Sequence, residues 1–282
     1  MKVRLAAVQM VSGPDVAANL GTAERLIGEA AQQGAQLVLL PEYFCLMGSQ
    51  DRDKLGIMEA DAGDAFPVTG EAPLQAFLAE MAHRYGLVLV GGTVPLRSPK
   101  INRVCNSCLV HGPDGRRLAR YDKIHLFGFR KGEESYDESL SIFPGRTPVV
   151  VDVPVPEGAD NASLRVGLSV CYDLRFPELY RQMAPLDLIV MPAAFTHTTG
   201  RAHWEMLLRA RAVENQCYVL AAGQGGEHPS GRRTWGHSML VDPWGEILAV
   251  LPEGEGVVLA ELDTDHMASV RENLPALRHR VI

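Results

Sequence analysis

Short apolar runs recur along the chain at Val3–Met10, Gln36–Leu40, Leu87–Val94, Arg103–Val110, Pro148–Val153, Leu164–Val170, Leu186–Met191, Cys217–Ala222, Ser238–Val241 and Gly256–Leu262, and each predicts a strand. Between several of them the apolar period lengthens to that of a helix. Val16–Gln33 stops at Gly34, Pro73–Tyr85 stops at Gly86, and Arg201–Asn215 carries Trp204, Leu207, Leu208 and Val213. Gly112-Pro113-Asp114-Gly115 and Asp242-Pro243-Trp244-Gly245 supply the turn chemistry of two hairpins. The pattern predicts an α/β fold, a four-layer α-β-β-α sandwich with two mixed sheets packed face to face and helices outside. No linker, repeat or charge block divides the chain, so one domain over residues 1–282 is expected, with a core of about 3–262 and a tail over 263–282.

Composition narrows the function classes. The chain has 282 residues, 46% of them hydrophobic and 22% charged, which suits an ordinary globular protein. A net charge of −7 gives no general attraction to nucleic acid or anionic membranes, so neither is an expected partner, and a small molecule is. No apolar run approaches the ~20 residues of a membrane span, and Met1–Met10 reads as a strand rather than a leader, so a cytoplasmic location is expected. Five cysteines, an odd number widely spaced, argue against a disulfide framework. Cys105-x-x-Cys108 lies inside a strand-like run with no second such pair and no helix start beside it, so zinc or redox use is disfavoured.

The chemistry concentrates at strand ends. Leu164–Val170 runs into Cys171 ahead of a helix start at Pro177, placing a thiol where ligands bind in open α/β sheets, and a helix dipole there would favour thiolate. The plain alternative is a buried structural cysteine. Leu39-Leu40-Pro41-Glu42 ends another strand in a carboxylate, which would otherwise be a solvated loop acid. Asp122-Lys123-Ile124-His125-Leu126 sets a lysine among apolar neighbours, where a surface lysine with a packed stem is the commoner finding. Together they offer a thiol nucleophile, a carboxylate base and an ammonium. Amide cleavage needs an activated thiol, a stabilised oxyanion and a proton for the leaving nitrogen. Spacing alone does not bring these residues together.

Three segments, Leu39-Leu40-Pro41-Glu42, Tyr121-Asp122-Lys123-Ile124-His125-Leu126 and Ser169-Val170-Cys171-Tyr172-Asp173-Leu174-Arg175-Phe176-Pro177-Glu178, resemble in order and local sequence the nitrilase superfamily of carbon–nitrogen hydrolases. The resemblance spans nearly the whole chain. Thr199-Gly200-Arg201-Ala202-His203-Trp204 and Gly236-His237-Ser238 with Asp242-Pro243-Trp244-Gly245 are similar to its Nit branch. It implies a Glu-Lys-Cys triad: Glu42 as general base and then acid, Lys123 for the tetrahedral oxyanion, Cys171 as nucleophile through a thioester, and the Tyr172 N–H in the oxyanion hole. Glu138 matches a second glutamate beside the lysine, with Glu133 and Glu134 in the same acidic segment as alternatives. That segment, Lys131–Ser141, would otherwise read as a solvated loop. The resemblance implies no metal and no organic cofactor, and a homodimer or higher homo-oligomer.

The implied activity is hydrolysis of a small carboxylate-bearing amide to acid and ammonia, with deaminated glutathione ranked first on loop residues. Omega-amidase action on α-ketoglutaramate or α-ketosuccinamate follows, then N-carbamoyl amino acid hydrolase or nitrilase action, then a non-catalytic binding protein on the same fold. Arg175, just past the thiol, is the candidate cation for a substrate carboxylate, or else braces Asp173 or Glu178. Phe195, after Pro192-Ala193-Ala194 at a strand end, lines the pocket or sits in the core. His197 and His203 flank a Thr198–Ala202 turn, and with Glu205 match no common zinc spacing. A papain-like mechanism, with His125 or His203 as base, is a second enzymatic alternative.

Overall fold

A computed structural model of the chain describes residues 1–132, 134–155 and 162–281. Strand alternation decides its layering. In Lys2–Gln9 the side chains of Val3, Leu5 and Ala7 join one buried cluster, whereas Ala6 and Val8 join another. Leu37 and Leu39 divide from Val38 in the same way, as do Val88 and Val90 from Leu89. Each strand therefore feeds two cores, one on each face of its sheet.

The first sheet runs Gly256–Asp263, Lys2–Gln9, Leu37–Leu39, Val88–Val90, Val104–His111, Val94–Arg97, with Arg117–Asp122 also pairing with Val104–His111. The second runs Ile247–Leu251, Ser238–Val241, Tyr218–Gly223, Leu188–Ala193, Ser163–Leu168, Val149–Pro154. Both have three parallel strands at the centre and antiparallel neighbours outside. Leu5, Leu39 and Val90 of one sheet meet Val166, Val190 and Leu220 of the other in a shared core. Helices Val16–Gln32 and Pro73–Tyr85 cover the outer face of the first sheet through Leu26, Ile27, Leu74 and Leu78. Helices Pro177–Met183 and His197–Asn215 cover the second through Leu179, Trp204 and Leu208. The result is the α-β-β-α sandwich, with the parallel strand ends of both sheets on one edge.

Four expectations need correction. Leu87–Val94 is not one strand: it breaks at Gly91 and Gly92 into Val88–Val90 and Val94–Arg97. Gly92 has φ +52, and any Cβ there would overlap the Pro41 carbonyl oxygen, so the break gives the Pro41–Glu42 segment its room. The acidic segment is not a plain loop either. Gly128–Lys131 and Glu134–Asp137 form a hairpin whose Phe129 and Tyr136 stand opposite each other, followed by a 3-10 turn at Glu138–Leu140. Thr198–Ala202 belongs to helix His197–Asn215, which starts early because the Thr196 side chain caps the Thr199 N–H. Finally, the tail contains helix Thr264–Asn273, whose Met267 is buried in the shared core.

Candidate active site

Glu42 follows strand Leu37–Leu39 by three residues and is 1% exposed. A carboxylate so deep needs fixed donors. Its Oε1 accepts from Lys123 Nζ at 2.9 Å and from Asn106 Nδ2 at 2.9 Å, and its Oε2 accepts from the Ala194 N–H at 3.0 Å. Gln224 fixes its backbone, donating to the Glu42 carbonyl at 3.1 Å. One carboxylate thus gathers groups from both sheets.

Lys123, just past strand Arg117–Asp122, is fully buried, so it is not the surface lysine of the plain reading. Beyond Glu42, its ammonium bonds both oxygens of Glu138, at 2.9 and 2.8 Å. Burial pulls against the charge on Lys123, but Glu138 and Glu42 outweigh it and hold its pKa well above the usual lysine value. Glu138 also accepts from Tyr43 Oη at 2.9 Å and from the Phe127 N–H at 2.7 Å. Burial opposes its ionisation too, and Lys123 and Lys54 overcome it, keeping its carboxyl below the ordinary range. Glu138 is therefore the glutamate beside the lysine. Glu134 instead accepts from Thr198 Oγ1 at 2.9 Å, and Glu133 lies outside the described residues.

Cys171 opens a five-residue 3-10 helix, Cys171–Arg175, with φ +50, a left-handed backbone that few residues other than glycine adopt. Tyr172 falls in that helix's first turn, so its N–H has no helical acceptor. Asp173 holds the turn in place: it accepts from the Val170 N–H, the His125 N–H, His125 Nδ1 and Tyr121 Oη, at 2.9, 3.0, 2.7 and 2.7 Å. The lysine segment and the cysteine segment are thereby tied to one buried carboxylate. The thiol is 7% exposed, and the charges acting on it are those of Glu42, Lys123 and Glu138. Here the helix-dipole expectation fails. Burial, and then the Glu42 carboxylate, raise the thiol pKa well above its ordinary value, so the thiol and not the thiolate is the resting form.

In front of the sulfur lies a narrow cleft lined by Phe127, Tyr172, Arg175, Ala194, Phe195 and Thr199. Phe195 thus lines the pocket while its ring packs at a tilt against Trp204. Arg175 braces neither Asp173 nor Glu178. Its guanidinium lies 5.4 Å from the Phe195 ring centre and 5.7 Å from that of Tyr172, touches His203 Nδ1 at 3.2 Å, and has no ion-pair partner among the described residues. Among the described residues no histidine lines this cleft: His125 is held by Asp173 and stacked on Phe176 at 3.7 Å. Cys105 and Cys108 point to opposite faces of their strand and into different cores, with burial raising their pKa values to about 11 and about 12. Among the described residues no cluster of three metal-ligating side chains occurs.

Sequence reasoning missed Asn106, Tyr43 and the N–H groups of Ala194 and Phe127. Asn106 carried a signal, because Asn106 and Ser107 interrupt an otherwise apolar strand with polar side chains that need buried partners. The backbone donors carried none.

A buried thiol, a carboxylate and an ammonium clustered at the shared edge of two packed sheets suit a hydrolase that acts on carbon–nitrogen bonds. The chain matches the carbon–nitrogen hydrolase family over residues 4–272 and belongs to it. It is 40% identical over 280 residues to the deaminated glutathione amidase of Synechocystis sp. PCC 6803, covering 98% of this chain and 97% of that protein. It is 38% identical over 282 residues to the omega-amidase NIT2 of Xenopus tropicalis, covering 99% and 95%. Among solved structures, Saccharomyces cerevisiae Nit3, a member of branch 10 of the nitrilase superfamily, superposes with a TM-score of 0.84 at 30% identity, covering 100% of this chain and 97% of that one.

Proposed function

We propose that the chain is an amidase that cleaves the side-chain amide of a 2-oxo dicarboxylic acid through a thioester on Cys171, with deaminated glutathione as its substrate. The observation that carries this reading is Glu42, buried and sharing Lys123 with Glu138, as the carboxylate that most strongly holds up the Cys171 pKa. A resting thiol needs a base at the moment of attack, and Glu42 is the carboxylate that acts most strongly on it.

Glu42 takes the thiol proton as sulfur attacks the amide carbon. The oxyanion forms between the Lys123 ammonium and the Tyr172 N–H, two donors that need no reorganisation. Glu42 then passes its proton to the leaving nitrogen, the C–N bond breaks and the acyl group stays on sulfur. Water, deprotonated by Glu42, attacks the thioester through a second oxyanion and releases the acid and the thiol. Glu138 neither gives nor takes a proton; it holds the ammonium against Glu42. Arg175 receives the distal carboxylate of the acyl group, with Phe195 and Tyr172 on its flanks.

Deaminated glutathione and α-ketoglutaramate share the same acyl group and differ in what departs, cysteinylglycine in the first and ammonia in the second. The names of the relatives divide between the two activities. The test is release of α-ketoglutarate from both amides, beside an N-carbamoyl amino acid and a simple nitrile. The proposal requires turnover of deaminated glutathione that Cys171→Ala abolishes. Preference for the carbamoyl compound or the nitrile would overturn it.

We further read the chain as one domain that forms a homo-oligomer in the cytoplasm. Exposed Met206, Val213 and Trp244 line one broad groove beside helix His197–Asn215, the five cysteines are unpaired, and among the described residues no helix is long and apolar enough to cross a membrane. Sedimentation as a monomer at micromolar concentration would overturn the oligomer.

A further inference from the structure

A second, shallow cleft is lined by Tyr43, the residue after Glu42, and by Met47, Asp51, Lys54 and Arg232 among others. Neither of its two cations has an ion-pair partner among the described residues. Lys54 comes from the short 3-10 helix Asp53–Ile57, and its ammonium lies 4.8 Å over the centre of the Tyr43 ring. Burial holds the lysine below its usual pKa, although Asp51, Glu138 and Glu42 pull the other way and Lys123 adds to the lowering. The Arg232 guanidinium lies 5.2 Å from the Tyr136 ring centre, and its Nη2 approaches the Ala194 carbonyl at 3.5 Å. Its Nε is buried with no acceptor. A half-buried ammonium and a guanidinium with an unmet buried Nε–H face a single lining carboxylate, Asp51, and this surplus of positive charge makes a site for an anion.

The cleft's position says which anion. The leaving nitrogen takes its proton from Glu42, so the departing group leads away on the Glu42 side of the reacting carbon. Tyr43, the next residue, forms one wall of this cleft, and Arg232 touches the carbonyl of Ala194, whose N–H binds Glu42. Arg175 lies with the acyl side, in the other cleft. We propose that Lys54 and Arg232 bind a carboxylate carried by the leaving amine, so that the site grips its substrate at both ends. The proposal rests on the amidase reading above and extends it: substrates that release ammonia leave this cleft unused, whereas an amide of a short acidic peptide fills it.

The test compares deaminated glutathione with its C-terminal carboxamide, which differs only in the charge this cleft would hold. Wild-type enzyme is expected to favour the acid in kcat/KM by about 10- to 100-fold, the range of one or two charge-assisted bonds, with the difference residing in KM. Lys54→Met and Arg232→Gln should each shrink that preference, the double variant should reduce it to within about twofold, and Lys54→Arg should retain it. Because the readout is a ratio between two substrates on one enzyme sample, partial misfolding leaves it unchanged. Equal use of acid and carboxamide by wild type, or a full preference in the double variant, would overturn the proposal. Turnover of α-ketoglutaramate without turnover of either extended amide would overturn it together with deaminated glutathione as the substrate, and leave standing an amidase that releases ammonia. Turnover of none of the three would remove both.

Discussion

Replacing Glu138 with glutamine removes one charge and almost no volume from the site, which makes its cost calculable. The carboxylate accepts four bonds, two from Lys123 and one each from Tyr43 and the Phe127 N–H. A glutamine amide offers one oxygen and one NH2 group. The NH2 fits best at the Oε1 position, where the Tyr43 hydroxyl can turn to accept, but there it confronts the Lys123 ammonium at 2.9 Å. At the 2.8 Å separation of the closer pair, the lost attraction is about 6 kcal/mol for an effective dielectric of 20. Relief of the repulsion between Glu138 and Glu42 offsets part of this. The net lies near the ~3–5 kcal/mol typical of a buried pair broken on one side. Urea unfolding of Glu138→Gln is therefore expected to show stability lower by about 3–5 kcal/mol. In the folded fraction, Lys123 loses one of two anchors, and kcat should fall about 100-fold with KM little changed. Stability within 1 kcal/mol of wild type, with kcat within threefold, would refute the view that Glu138 holds the lysine.

The remaining predictions address the neighbouring parts. The raised pKa of Cys171 means that the thiol stays protonated as pH rises past the ordinary value of 9.0, so an ultraviolet thiolate titration of wild type minus Cys171→Ala should show no step between pH 5 and 9. A step near neutrality would show an ion-paired thiolate instead. Gly92→Ala forces a Cβ against the Pro41 carbonyl in a positive-φ backbone and should displace Glu42, lowering kcat at least tenfold along with stability; an unchanged enzyme would show that the strand break has no bearing on the site. Asp173→Asn weakens the tie between the lysine and cysteine segments and should lower kcat more than it raises KM, and normal kcat would refute that positioning role. Cys105→Ser with Cys108→Ala should keep full activity, whereas loss of turnover would revive a role for that pair.

The sequence made the layering legible because strand alternation and helical period are local signals. Leu5 and Ala6 face different cores for the same reason that they alternate in the chain. The break at Gly91-Gly92 was hidden because its cause is the Pro41 carbonyl, distant in the sequence. The Gly128–Asp137 hairpin was hidden because its charged residues read as solvated, and only Phe129 and Tyr136, paired across it and both packed on Phe127, give the segment a half-buried face. Glu42, Lys123 and Cys171 were recognisable as strand-end residues, yet the shared ammonium and the protonated thiol arise from burial that no local pattern encodes. Lys54 and Arg232 gave no sign at all, since a lone lysine or arginine in a polar segment looks like any solvated one.

The most direct test of the account is peptide mapping of enzyme mixed with a nitrophenyl ester of glutaric acid and quenched in acid. That leaving group departs without a proton, so the acyl-enzyme accumulates ahead of hydrolysis. A glutaryl group is expected on the peptide carrying Cys171, removable by hydroxylamine and absent from Cys171→Ala. Turnover of the ester by Cys171→Ala at the wild-type rate, or a specific label on any other side chain, would contradict it.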